Sequence, residues 1–184
     1  MPSKWMNKTP LLFFLVLAQS RLYAADHYWN LKQSKLTYHV SHPSHDAEGV
    51  SRTARGMGVC HDGQCDFLIA VPVKTFESGN GKGDINLIQV TRGAQFPMVT
   101  VRTRLPESSA TSSEVKADLE IQFAGQTVHY TQVPFEIKKQ GKERRITGTI
   151  PATLADFKID PPVLLASPVK NEIPIRVEMT WTPQ

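Results

Sequence analysis

The chain has 184 residues, with 21 Lys and Arg against 17 Asp and Glu and a formal charge of +4. That excess sits at the start, where Lys4, Lys8 and Arg21 flank an unbroken apolar run at residues 11–18, the pattern of a cleavable secretory signal. With residues 1–24 removed, three of the 21 cations leave and none of the 17 acids; the near balance that remains excludes the basic surface of a nucleic-acid binder and weakens the case for an anionic membrane surface.

The expected cut follows Ala24, or falls one or two residues away, because Leu22 occupies a position where a small residue is commoner. The alternative is an uncleaved anchor. No Cys lies near the cut to accept a lipid, and no later stretch approaches the roughly 18 to 20 apolar residues of a membrane helix. Residues 25–184 therefore read as one exported domain with no membrane span, large enough to bury about two thirds of its unfolded surface.

Beyond the signal, apolar residues recur with period two between clusters of Gly, Pro, Ser or Asn, which argues for strands and turns. The first strand, 36–40, runs into His39, His42 and His45, spaced by three within His-Val-Ser-His-Pro-Ser-His-Asp. His and Asp in a short tract can hold a transition metal, so a secreted metal-responsive or interaction module is the alternative function. The spacing argues against it, because a strand holding Tyr38 and Val40 turns His39 to the opposite face and Pro43 then bends the chain. Solvated loop histidines, one of them hydrogen-bonded at a rim, are the simpler reading.

The second strand, 49–59, leads into Cys60-His61-Asp62-Gly63-Gln64-Cys65, which holds both cysteines. Asp-Gly is a two-residue hairpin turn. It sets His61 opposite Gln64 and Cys60 opposite Cys65, the latter at a non-hydrogen-bonded pair where Cα atoms approach most closely. In an exported chain this predicts a disulfide, contributing about 2 kcal/mol for so small a loop. Reactive cysteine pairs usually have two residues between them, and haem attachment needs Cys-x-x-Cys-His; neither pattern occurs.

After a strand at 65–73 comes a long connection, 76–96, with the Gly-rich Ser78-Gly79-Asn80-Gly81-Lys82-Gly83 and a short helix expected over 84–90. The glycines lack the Walker spacing of a phosphate loop. The helix can plug one end of a barrel, form a lid over a ligand mouth, or do both. Strands at 98–105 and 114–123 follow, the second alternating Val115, Ala117, Leu119, Ile121 and Phe123 with Lys116, Asp118, Glu120 and Gln122. The turn Ala124-Gly125-Gln126 joins it to 127–137, then 144–152. A second long connection, 154–168, precedes the last strand, 172–182, where Ile173, Ile175, Val177, Met179 and Trp181 point one way and Glu172, Arg176, Glu178 and Thr180 the other.

Short connections demand antiparallel neighbours. Eight strands with one wet face then form an all-β meander that can close into a single antiparallel barrel, with one or two short helices in the longer connections. Closure leaves an interior wide enough for one slender ligand. The competing architecture is a two-sheet sandwich. No nucleophile elbow and no Cys-His pair occurs, and the carboxylates fall mostly on wet strand faces, so there is no catalytic set to nominate.

Four stretches carry a family likeness: Leu36-Thr37-Tyr38-His39-Val40-Ser41-His42 leading to Gly49; Val71-Pro72-Val73-Lys74-Thr75-Phe76-Glu77-Ser78-Gly79-Asn80 leading to Asp84; Gln95-Phe96-Pro97-Met98-Val99-Thr100-Val101; and Ile146-Thr147-Gly148-Thr149-Ile150 through Asp156-Phe157-Lys158-Ile159. Over essentially the whole mature sequence the chain resembles the YceI-like family of exported, polyisoprenoid-binding barrels. His42 resembles the family's His after the first strand, and Asp84 the Asp of its Arg-Asp pair. Gly83 stands in place of the Arg, with Lys82 before it, and the segment from Asp84 to Phe96-Pro97 is shorter.

The resemblance implies a lipocalin-like barrel in the periplasm. It would bind a polyisoprenoid, an isoprenoid quinone or a fatty-acid-like lipid for transport, storage or stress protection. No turnover and no cofactor beyond the bound lipid are implied, and pairing of two copies is left open. The lipid is expected against inward-facing Phe67, Ile69, Val71, Val99, Val101, Leu119, Ile121 and Phe123, with Phe76, Leu87 and Phe157 near the openings, part of this set serving only to fill the core. Each buried methylene contributes about 0.8 kcal/mol and association costs about 4 to 15 kcal/mol, so a long chain can exceed that cost where a short solute cannot.

Overall fold

The computed structural model describes residues 26–164 and 167–184; the expected signal at 1–24 lies outside the described residues. The period-two segments are strands, in the order β1 (His27–His42), β2 (His45–Ser51), β3 (Arg55–His61), β4 (Gln64–Pro72), α1 (Gly81–Val90), β5 (Met98–Pro106), β6 (Glu114–Phe123), β7 (Gln126–Gln140), β8 (Glu143–Ile150), the short β9 (Val163–Leu164) and β10 (Ser167–Pro168), and β11 (Ile175–Pro183). From β3 to β8 each strand pairs with the next along the chain, β11 follows β8, and β11 then pairs with β1, which closes the ring. The result is the expected eight-stranded antiparallel barrel. No helix among the described residues is long and apolar enough to cross a membrane.

The predicted strand 49–59 is one barrel stave built from two strands. β2 pairs with β1 through Leu36↔Ser51 and β3 pairs with it through His27↔Cys60, in a single continuous register. Arg52, Thr53 and Ala54 interrupt it. There Ser51 Oγ and Thr53 Oγ1 each lie 2.8 Å from Thr75 Oγ1, and Thr75 donates to the Pro72 carbonyl at 2.7 Å, so side-chain hydroxyls replace the ladder locally. Across this break β2 turns its far edge to the lid segment, which it meets at the isolated Val50↔Glu77 bridge.

Two bulges keep apolar residues inward where strict alternation would turn them out. In β1 the register shifts between Leu31 and Gln33, so Trp29 and Leu31 share the inner side with Leu36 and Tyr38; this is why the strand begins well before the predicted residue 36. In β7, Ala117 pairs with Val133 but Leu119 pairs with Tyr130. Gln132 takes φ 54°, and its N–H donates to Asp118 Oδ1 at 2.8 Å, which is bulge geometry. Val128 and Tyr130 thus face the same way as Val133, Phe135 and Ile137.

The Cys60–Cys65 disulfide is present, with the Cα atoms 3.9 Å apart, at a turn whose Asp62 and Gly63 both have positive φ, as an Asp-Gly hairpin requires. α1 starts three residues before the predicted Asp84, because the Asn80 side chain accepts from Lys82 N and Gly83 N and caps the helix there. The last strand begins at Ile175, since Glu172 only bridges Thr153. At the upper pole lie the β1–β2 turn, α1, the β6–β7 turn and residues 151–164 and 167–174. At the lower pole are the β3–β4 and β7–β8 turns and a 3-10 turn, Glu107–Thr111.

Candidate functional site

The inward residues leave a void between them. They surround a cavity of about 900 Å³ that reaches from α1 at the upper pole to the Glu107–Thr111 turn at the lower one. Phe67, Ile69 and Val71 of β4, Val99 and Val101 of β5, and Leu119, Ile121 and Phe123 of β6 are on its wall, and so are Phe76, Leu87 and Phe157. Ile69, Val71, Leu119 and Ile121 are buried by their neighbours, whereas Phe67, Val99, Val101 and Phe123 remain partly exposed although they point inward. That exposure is to the lumen. Phe157 is only 4% exposed and meets Phe123 edge-on at 5.2 Å, so it is a wedge beneath the upper cover rather than part of an opening.

The wall also includes Trp29, Leu36, Phe135, Ile146, Val177 and Trp181, which the expected lining set omits. The signal for several was present in the same alternation, most plainly in the last strand. Bulky rings lie flat where the facing residue has no side chain. A Cβ on Gly58 would stand 2.4 Å from the Phe67 ring, and one on Gly49 2.2 Å from Tyr38. Phe67 in turn meets Trp181 edge-on at 5.2 Å, a favourable aromatic geometry. The close approach of ring to backbone keeps aromatic bulk out of the lumen.

At the upper pole Tyr38 packs on Phe76 with centroids 5.7 Å apart. Burial pushes the Tyr38 hydroxyl pKa up, and the nearby Asp84 charge adds to this. Asp84 Oδ1 accepts from Ser78 N at 2.8 Å and Ser78 Oγ at 2.6 Å, so this carboxylate braces the Gly-rich loop against the helix. Arg92 donates to the Ala124 carbonyl and covers the Phe96 ring at 5.2 Å, tying the end of the lid segment to the β6–β7 turn. Tyr130 donates to Asp156 Oδ2 at 2.7 Å, which fastens the 3-10 turn Ala155–Phe157 to β7. α1 has no fully buried residue; Leu87 and Val90 face the cavity, and Ile85 is 59% exposed.

His39 and His42 of the histidine tract are not gathered into one site. His39 pairs across the sheet with Glu48, its Nδ1 3.5 Å from Glu48 Oε1 and its Nε2 3.1 Å from Ser41 Oγ. His42 is buried at the rim, with Nδ1 2.7 Å from Ser44 Oγ and Nε2 3.3 Å from the Ser167 carbonyl. The strand's alternation separates the two rings, as the spacing predicts, and the His45 side chain lies outside the described residues. Among the described residues no group of three or more His, Cys, Asp or Glu converges.

No protein-family model matches the sequence, and no curated protein matches it. Solved structures do match in shape. BcnA of Burkholderia cenocepacia superimposes with a TM-score of 0.67 at 14% identity, over 80% of this chain and 95% of its own. A polyisoprenoid-binding domain from Saccharophagus degradans, implicated in plant cell wall breakdown, gives 0.64 at 10% identity, over 85% and 98%. The YceI protein of Campylobacter jejuni gives 0.51 at 13% identity, over 95% and 97%. At such identities the likeness is one of fold: the chain shares the barrel architecture of these proteins.

Proposed function

We propose that the protein is exported to the periplasm and holds one long-chain lipid, an isoprenoid, an isoprenoid quinone or a fatty-acid-like molecule, inside its barrel for transport, storage or stress protection, without chemical turnover. The observation that carries this reading is the elongated, apolar cavity of about 900 Å³, within the roughly 300 to 1,000 Å³ range of small-molecule sites. The Cys60–Cys65 disulfide suits an oxidising compartment. The polyisoprenoid-binding domain among the fold's relatives supports the ligand class.

At roughly 30 Å³ per water-sized group, the cavity admits on the order of 30 non-hydrogen atoms. A chain of about 16 methylenes contributes on the order of 13 kcal/mol at ~0.8 kcal/mol each, against an association cost of about 4 to 15 kcal/mol. Tight binding on burial alone therefore requires a chain that fills the length of the lumen. The walls from β4, β5 and β6 exclude water along the chain, while Phe76 and Leu87 cover its upper end.

Native mass spectrometry of protein purified without detergent tests the proposal, paired with uptake of a fluorescent polyene. A retained lipid, or polyene uptake at one molecule per barrel, is expected. An empty barrel that also takes up no polyene overturns the reading.

A further inference from the structure

One belt of the cavity wall departs from the apolar lining. Thr103 on β5 pairs with Phe67, Phe67 with Gly58, and Gly58 with Trp29, so these four stand in one layer around the lower end of the barrel. The Arg144 guanidinium lies over the Trp29 ring at 5.7 Å in that layer. Both Thr103 and Arg144 line the cavity.

Arginine carries five N–H donors. Arg144 Nε donates to the Ala110 carbonyl at 2.5 Å, and Nη1 donates to the carbonyls of Lys142 at 3.3 Å and Glu143 at 3.0 Å. Nη2 donates to nothing among the described residues, and no carboxylate there pairs with the charge, whereas the adjacent Arg145 points outward to Glu178. The Thr103 hydroxyl is buried without a hydrogen-bond partner among the described residues. Buried polar groups are nearly always paired, and an exception asks for a partner. The carbonyl contacts hold the guanidinium in place while leaving its positive charge uncompensated at the end of a greasy tunnel.

We infer that this belt is an oxyanion-binding end of the tunnel, and that the natural ligand is a single-chain amphiphile whose carboxylate or phosphate is held by Arg144 Nη2 while its chain runs up the lumen, the unpaired Thr103 hydroxyl, buried while the lumen is empty, rotating about χ1 to join it. The inference rests on the lipid-holding reading and narrows it to acidic lipids. An Arg fork suits both oxyanions. By the same ~30 Å³ rule the cavity caps the chain at roughly 25 carbons once the head group is counted, so chains of about 16 to 20 carbons fit.

The test measures displacement of a neutral fluorescent polyene alcohol by four probes: palmitate, hexadecanol, geranylgeranyl phosphate and geranylgeraniol. The two acidic probes distinguish a carboxylate from a phosphate source. The unsubstituted protein is expected to prefer at least one acid over its alcohol by about tenfold or more, the scale of a charge-assisted hydrogen bond. In Arg144→Met that preference disappears, and Thr103→Val reduces it. Arg144→Lys, which keeps the charge, retains part of it.

A measurement that needs no variant is the ¹³C carboxyl signal of bound labelled palmitate. Beside Arg144 the carboxyl stays ionised below the usual carboxylate range; in an apolar lumen without a cation it protonates above that range. Equal affinity for acid and alcohol, or a preference unmoved by Arg144→Met, overturns the inference and leaves lipid binding intact. Failure of all four probes and of the polyene overturns both.

Discussion

Replacing Val101 by Trp separates an open lumen from a solid core. Val101 sits at mid-height on β5, in register with Ile69 on one side and Ile121 on the other, and lines the cavity while partly exposed. The substitution adds roughly seven non-hydrogen atoms, about 200 Å³ at ~30 Å³ each, against a cavity of about 900 Å³. Into a packed core such an insertion costs about 1 to 3 kcal/mol or more. Into an open apolar lumen it costs little, because the indole occupies space and covers apolar wall. The lipid, however, loses on the order of seven methylene positions. At ~0.8 kcal/mol each this is about 5 kcal/mol, or more than a thousandfold in affinity. Urea unfolding followed by circular dichroism and polyene titration read the two quantities separately. The expected result is unchanged or raised stability with uptake abolished; a variant several kcal/mol less stable that still binds at the original affinity refutes the reasoning.

Removing the disulfide with the double change Cys60→Ala, Cys65→Ala should lower stability by about 2 kcal/mol, the loop-closure value for so short a ring, or about 4 to 8 °C in Tm at this size; calorimetry without reductant checks it, and a fall beyond about 15 °C means the hairpin organises more than its own turn. Gly58→Val places carbon against the Phe67 ring, which a Cβ there meets at 2.4 Å, and should cost about 1 to 3 kcal/mol, with Phe67→Leu recovering much of it in a double-mutant cycle by urea unfolding. Glu178 bridges Lys35 of β1 and Arg145 of β8, and the Lys35 ammonium first, then the Arg145 guanidinium, hold its carboxyl below the usual carboxylate range. A lowered native pKa gives stability that is present above the unfolded value and is lost as pH falls through the native one. The acid limb of the stability profile should therefore be shallower in Glu178→Gln, and an identical limb in urea titrations below about pH 5 refutes this.

Much of the barrel was legible because a half-wet sheet imposes period two, and β6 and β11 obey it without a break. The Asp62-Gly63 turn gave the disulfide register for the same local reason. What strict alternation hid were its interruptions. The inner residues of β7 change from even to odd numbers between Tyr130 and Val133, a parity shift visible in the sequence once a bulge is admitted. The break at Arg52-Thr53-Ala54 depends on Thr75, more than twenty residues away, so no local pattern announces it. In the candidate site, alternation found wall residues but gave no means of separating those that only fill space from those that border the void. Arg144 and Thr103 escaped notice because each is an ordinary polar residue in a strand, and only closure of the sheet brings them to one end of a lumen.

The interrupted stave leaves β2 with a far edge that no full strand among the described residues covers. Bare edges invite another chain to add on. Here the strand carries Asp46 and Glu48, both exposed, so two copies zipping together along β2 would bring four negative charges into one small region, and like charges set opposite one another weaken a sheet. Repulsion along β2 thus opposes the pairing of two copies at that edge.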